Sequence, residues 1–128
     1  MTLLEKKEQI RNDFKTLPNW DERFAYLIDL GKELPFFHSD KKNEETRIRG
    51  CQSDAWLLVQ EQNNVIHISG DADGQITKGI IALLVFLYNG ISVEEMKKED
   101  FEILADVGII GQLSMNRASG LSFMIEKI

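Results

Sequence analysis

Cysteine, proline and long apolar runs are scarce in this 128-residue chain, and the scarcity of each excludes certain kinds of protein. A single cysteine, Cys51, cannot form an internal disulfide, nor a zinc or iron–sulfur site made of cysteines alone. The most apolar stretch, residues 80–88, is too short to span a bilayer, and the N-terminus lacks the apolar core of a signal peptide. We therefore expect a cytoplasmic protein with no membrane partner.

Basic residues are also in the minority. The 15 lysines and arginines are outnumbered by 21 aspartates and glutamates, which gives a net charge of −6. Nucleic-acid binding needs a positively charged surface, so we expect no nucleic-acid partner. The hydrophobic fraction of 43% is ordinary for a globular protein, and the length suits one core. These values predict a single domain over residues 1–128.

The N-terminal part of the sequence predicts two helices. Apolar residues recur at helical spacing up to Pro18, before which the first helix should end. Asn19 followed by Glu22 is typical of a helix N-cap, and the second helix should extend to about Leu34. The side chains expected to be buried in this second helix are Phe24, Leu27, Ile28 and Leu34.

The middle of the chain predicts a small antiparallel sheet. Residues 55–61 and 65–69 have the composition and alternation of strands and are separated by a turn-forming stretch. Residues 47–49 are expected to add a third, shorter strand. The following "GDADG" offers Asp71 or Asp73 as the N-cap of the next helix.

The remaining sequence predicts several helices. Residues 75–88 are apolar nearly all round, which is typical of a central core helix. Ser92 begins a capping box for a short helix, Asp100 should start another, and a last helix should run through Arg117. The predicted fold is therefore α+β, with a small antiparallel three-stranded sheet packed against helices.

Cys51 has two readings on its residue context alone. Most unpaired cysteines are small buried hydrophobes. Gly50, however, permits unusual backbone dihedrals, and the polar Gln52 and Ser53 do not suit the centre of a buried strand. A nearby cation such as Arg49 would favour the nucleophilic thiolate. Both interpretations of Cys51, as a buried residue and as a reactive one, remain open.

Other candidate sites have weaker support from the sequence. His38 and His67 are the only histidines available to a Cys/His hydrolase, and neither has a context that specifies a general base. The "GDADG" stretch lacks the remaining ligands of a calcium loop, and we expect no metal site. Arg117 is either an exposed structural residue or a cation at a protein interface.

Three stretches in order, "IRGCQSDAW", "GDADGQITKGIIALLVFLYNG" and "LSMNRASGL", resemble the SufE/CsdE family of sulfur acceptor proteins. The resemblance covers nearly the whole chain. It implies an α+β fold similar to the IscU-type scaffold. It also implies that a pyridoxal-phosphate-dependent cysteine desulfurase donates sulfur as a persulfide, which then passes to an iron–sulfur scaffold complex. No cofactor would be bound, apart from the transient persulfide.

The resemblance also implies roles for particular residues. Cys51 matches the acceptor position, Asp73 a position near the active loop, and Arg117 a position at the partner surface. Gly50 would supply a hinge for the cysteine loop, while Gln52 and Ser53 could satisfy its backbone groups. Two alternatives stay open: an allosteric adaptor of a desulfurase that carries no sulfur, and an independent thiol enzyme.

Overall fold

The computed structural model of this protein describes residues 1–48 and 54–112, in which an antiparallel sheet is preceded by two helices and followed by several more. This arrangement confirms the predicted α+β class. The predicted last helix through Arg117 lies outside the described residues. The elements are α1 (Leu3–Lys15), α2 (Trp20–Lys32), a 3₁₀ turn (Ser39–Lys41), β1 (Ala55–Gln62), β2 (Val65–Ala72), α3 (Gln75–Tyr88), α4 (Val93–Lys97), α5 (Glu102–Asp106) and α6 (Ile109–Gln112).

Helix α2 begins as predicted and ends slightly early. The Asn19 side chain accepts a hydrogen bond of 2.9 Å from the backbone N–H of Glu22, which satisfies one free donor of the first turn. The helix ends at Lys32 rather than near Leu34 because Pro35 disfavours helical dihedrals at the residue before it. Of its predicted apolar face, Leu27 is fully buried, while Phe24, Ile28 and Leu34 are partly buried.

Strands β1 and β2 form a hairpin closed by Asn63 and Asn64. Both asparagines have positive φ, 55° and 62°, as a tight turn matching the twist of the strands requires. Pairing runs from Gln62 opposite Val65 to Ala55 opposite Ala72, so β2 is longer than predicted.

The predicted third strand is wrong, because the sheet formed by residues 1–48 and 54–112 has two strands. Arg47 forms only an isolated bridge with Trp56. The N–H of Arg47 is donated to the carbonyl of Asn43 at 2.9 Å. The chain therefore leaves a turn just before it reaches β1, and only a short stretch remains for pairing.

The edge of β2 that does not pair with β1 forms hydrogen bonds with the segment that follows α3. The Asn89 side chain accepts a 2.8 Å hydrogen bond from the N–H of Ile68. Ile66 donates its N–H to the carbonyl of Ile91 at 2.8 Å and accepts from the N–H of Gly90 at 2.7 Å. These contacts protect the edge of β2 at Ile66 and Ile68, next to the hairpin turn.

Helix α3 is the central core helix, as predicted, and packs against both α2 and the sheet. Its buried residues lie all round the helix: Thr77, Gly79, Ile80, Ile81, Ala82, Leu83, Leu84, Leu87 and Tyr88. Its predicted cap is wrong, since the N-cap is Gly74 and no side chain caps the helix. The Asp71 carboxylate instead accepts from the N–H of Ala72 and pairs with lysines.

Candidate functional site

The predicted acceptor segment can be described only through the residues that flank it. Gly50, Cys51, Gln52 and Ser53 lie outside the described residues, as does Arg117. The flanking residues are Ile48 on one side and Asp54 on the other, and both belong to the described structure.

Ile48 and Ala55 fix the two ends of the segment to each other. The N–H of Ile48 donates to the carbonyl of Ala55 at 2.8 Å, and the N–H of Leu57 donates to the carbonyl of Thr46 at 2.8 Å. Ile48 is 2% exposed and Ala55 0% exposed, so both ends are packed into the core. The two residues that bracket the segment are therefore held side by side in the core.

Asp54 connects the end of the segment to Asp73, the described residue that the family resemblance had singled out. The carbonyl of Asp54 accepts a 2.9 Å hydrogen bond from the N–H of Asp73. The Asp54 carboxylate pairs with the guanidinium of Arg47 at 3.1 Å. The Asp73 residue is exposed beside these contacts. The structure therefore brings Asp73 to the flank of the predicted acceptor segment.

Two lysines and a tryptophan surround Asp71 at the same end of the hairpin. Asp71 pairs with Trp56 across the strands, and its carboxylate lies 3.2 Å from the Nζ of Lys42 and 3.3 Å from the Nζ of Lys78. The Lys42 ammonium also lies 4.5 Å from the centre of the Trp56 ring, a cation–π distance. This cluster joins the 3₁₀ turn region, both strands and α3.

The pKa of Asp71 is lowered by this environment. Partial burial acts to raise it, but the hydrogen bond from the N–H of Ala72 and the contacts with Lys42 and Lys78 prevail. From the sequence, Asp71 was a possible helix cap and part of a stretch with a weak likeness to a calcium loop, and its contacts with the two lysines were not predicted. The register of the hairpin, which sets Asp71 opposite Trp56, was the available signal.

His67 lies away from the flanks of the segment. It is opposite Gln60 on the hairpin, five residues along β2 from Ala72, a separation of about 17 Å in an extended strand. His38 packs edge-on against Phe36, with ring centres 4.9 Å apart. The position of His67 argues against this residue as the general base of a Cys/His hydrolase. Within residues 1–48 and 54–112, no group of three or more His, Cys, Asp or Glu residues is arranged to hold a metal ion.

No helix in the described part of the chain is both long enough and apolar enough to cross a membrane.

Comparison with known proteins identifies the family. The family model "SufE: Fe-S metabolism associated domain" matches residues 8–128. An uncharacterized SufE-like protein of Rhizobium etli is 34% identical, with 94% of this chain and 85% of that protein covered. A second, from Rhizobium meliloti, is 32% identical, with 94% of this chain and 90% of that protein covered.

The fold is also found among solved structures. The solution structure of a hypothetical protein from Thermus thermophilus matches with a TM-score of 0.76 at 18% identity, covering 95% of this chain and 89% of that one. At this identity the match shows the fold alone. The extent of the family match and the identity to the Rhizobium proteins establish that the chain belongs to the SufE family, whose domain is associated with iron–sulfur metabolism.

Proposed function

We propose that this protein accepts sulfur from a pyridoxal-phosphate-dependent cysteine desulfurase as a persulfide on Cys51, and passes it to an iron–sulfur scaffold complex. Membership of a family associated with iron–sulfur metabolism supports this role. Cys51 is the one thiol in the chain, so any sulfur carried as a persulfide must be carried there.

The observation that carries the proposal is the anchoring of the segment around Cys51. Three Cα–Cα steps separate Cys51 from Ile48 and three separate it from Asp54. Each step spans about 3.8 Å, so the Cys51 Cα is within about 11 Å of both fixed ends in any conformation. This limit keeps the thiol near Asp73 and the Asp71 cluster, while the segment remains long enough to present it to a partner.

The chemistry is a thiol–persulfide exchange. The Cys51 thiolate attacks the terminal sulfur of the desulfurase persulfide, a new S–S bond forms on Cys51, and the donor S–S bond breaks. The donor cysteine leaves as a thiolate, so one thiolate is consumed and one is produced, and no external oxidant or reductant is needed. Pyridoxal phosphate belongs to the donor protein, and we propose no resident cofactor for this chain.

Intact-mass spectrometry after incubation with a desulfurase and free cysteine tests the proposal. We expect the mass to increase by one sulfur, the increase to be reversed by a thiol reductant, and Cys51→Ala to show no increase. Ser39→Ala, at an exposed position of the 3₁₀ turn, is a control that keeps the thiol and should still gain sulfur. No gain of mass, with a desulfurase shown to be active and bound, would contradict sulfur carriage.

The same incubation with a desulfurase also distinguishes sulfur carriage from the two alternative functions. If Cys51→Ser still stimulates the desulfurase as well as the unmodified chain does, the protein is an allosteric adaptor. Turnover of a small substrate in the absence of any protein partner would instead identify an independent thiol enzyme. Loss of stimulation in Cys51→Ser, together with the sulfur adduct on the unmodified chain, is the result expected of a carrier.

A further inference from the structure

A cavity lies where the C-terminal end of α1 meets the start of α2 and the end of α5. Its volume is about 180 Å³, below the range of about 300–1,000 Å³ that accommodates drug-sized ligands. None of its described lining residues belongs to the strands that flank Cys51. They are Arg11, Phe14, Lys15, Arg23, Asp106 and Val107.

Arg23 is the unusual member of this lining. Its guanidinium carbon lies 5.0 Å from the centre of the Trp20 ring, which holds the side chain over an aromatic face. Its Nε atom is buried and has no hydrogen-bond partner among the described residues. A buried donor without an acceptor is unfavourable, and such a group in a folded protein calls for an acceptor such as a water or an ion.

The charges of the cavity are also unbalanced. Arg11 already binds the carboxylates of Glu8 and Asp106, each at 2.8 Å. Lys15 and Arg23 have no carboxylate partner within residues 1–48 and 54–112. Two cations without such a partner thus line one cavity in a chain whose net charge is −6. A water molecule would satisfy Arg23 Nε but would leave the Arg23 charge without a counterion, and the exposed Lys15 adds a second positive charge at the cavity.

We infer that this cavity binds a small oxyanion, either inorganic phosphate or the phosphate or carboxylate group of a small metabolite. A guanidinium donates parallel hydrogen bonds that match the oxygens of such a group, and an ammonium adds a point charge. The volume holds a few water-sized groups of about 30 Å³ each, which excludes a nucleotide or a large cofactor. This inference does not depend on the proposed sulfur transfer.

Titration with inorganic phosphate at constant ionic strength, followed by NMR of the Arg23 side-chain Nε–H, tests the inference directly. We expect a saturable shift of that resonance, with a dissociation constant on the order of 1 mM. Lys15→Gln and Arg23→Gln should each weaken binding by about tenfold or more, as loss of a charge-assisted hydrogen bond predicts. Binding to Arg23→Gln is followed by the neighbouring backbone amides.

Two further variants make the test specific. Lys32→Gln is the control for Lys15→Gln, because it also removes one lysine charge but at an exposed position of α2, paired with Asp29 at 3.6 Å. It should leave phosphate binding unchanged. Asp106→Asn should tighten binding several-fold, because it removes a carboxylate from the lining and releases Arg11 from its ion pair. Tighter binding in Asp106→Asn cannot result from a loss of folding.

Repeating the titration with acetate and with a glutamate-rich peptide determines which kind of anion the cavity binds. Saturation by phosphate alone indicates a phosphate group, and saturation by acetate as well indicates a carboxylate-tolerant site. Binding of the peptide without binding of either small ion would overturn the inference in favour of a protein partner. A linear response, or an equal response in Lys15→Gln and Lys32→Gln, would show that no site exists.

Discussion

At the scale of single residues, two glycines allow α2 and α3 to pack with their backbones in contact. A Cβ atom on Gly79 would lie 2.2 Å from the carbonyl oxygen of Leu27. A Cβ on Gly31 would lie 3.0 Å from the backbone N of Gly79. Because backbone atoms cannot rotate aside as a flexible side chain can, any larger residue at position 79 must separate the two helices.

Gly79→Ala should therefore destabilise the protein by about 3 kcal/mol, the upper part of the range for overpacking a core. Urea unfolding measures the loss. Gly111→Ala is the control, since a Cβ at position 111 of α6 meets no atom of the described residues within 4 Å. Adding alanine there should be neutral or slightly stabilising. Equal effects of the two substitutions would refute the close packing of α2 on α3.

At the scale of elements, Asp71 connects β2 to α3 and to the segment that contains Lys42. Asp71→Asn should lower the free energy of unfolding at pH 7 by about 1 kcal/mol, because both lysine contacts lose their charge partner. Asp73→Asn, two residues away and exposed, is the matched control for stability. Thermal or urea unfolding of both variants measures the difference.

The acid dependence of this contribution follows from the lowered pKa of Asp71. A carboxyl whose folded-state pKa is below its unfolded value of about 4 is fully stabilising above that pH. The contribution is lost as the pH falls through the folded pKa. The difference between the unmodified chain and Asp71→Asn should accordingly shrink below about pH 4, and a constant difference down to about pH 2 would contradict the assignment.

Helix α3 begins without a side-chain cap, which leaves room to stabilise it. Gly74 has φ −78° and ψ 134°, dihedrals that any residue adopts at an N-cap. Gly74→Ser should raise stability by about 0.5 kcal/mol by supplying an acceptor and restricting the unfolded chain. Gly90→Ser is the contrasting control, because its φ of +90° disfavours any side chain. In chemical denaturation, the midpoint should be higher for Gly74→Ser and lower for Gly90→Ser than for the unmodified chain.

At the scale of the whole molecule, burial of tyrosine sets the limit of stability at high pH. The Tyr88 hydroxyl donates to Glu99 at 2.5 Å, and Glu99 also binds the Nζ of Lys7 at 2.7 Å. Burial first, and then the contact with Glu99, raises the pKa of Tyr88. Burial and the hydrogen bond to Asp13 likewise raise the pKa of Tyr26.

Stability should therefore fall above about pH 10. There the unfolded tyrosines release their protons while the folded ones retain them, so ionisation favours unfolding. For Tyr88 the slope approaches about 1.4 kcal/mol per pH unit. The chain has two tyrosines, so tyrosinate absorbance should rise only together with the loss of helical circular dichroism.

Tyr88→Phe provides the control for this alkaline transition. The stability of this variant should decrease with pH less steeply than that of the unmodified chain, whatever its value at pH 7. Ionisation of both tyrosines near pH 10 in a chain that remains folded would disprove the burial argument.

Local signals in the sequence were sufficient for most elements but not for the third strand. Asn19 with Glu22 and the apolar residues of α3 act within one or two helical turns, so α2 and α3 were predictable from neighbouring residues. The pairing of residues 46–48 with β1 is decided instead by the turn at Asn43, which reduces it to a single bridge at Arg47. That turn ends at Arg47 and so limits where pairing can begin, and strand propensity does not reveal it.

The sequence by itself determined the fold class, the central helix, and the family on whose motif the proposed role of Cys51 rests, because these depend on periodicity, caps and an ordered set of motifs. Only the tertiary structure decided which distant charges meet. Asp71 with Lys42 and Lys78, and Lys15 with Arg23, come together through the packing of separate elements. Attraction between charges depends on distance in space, and chain folding rather than sequence separation sets that distance.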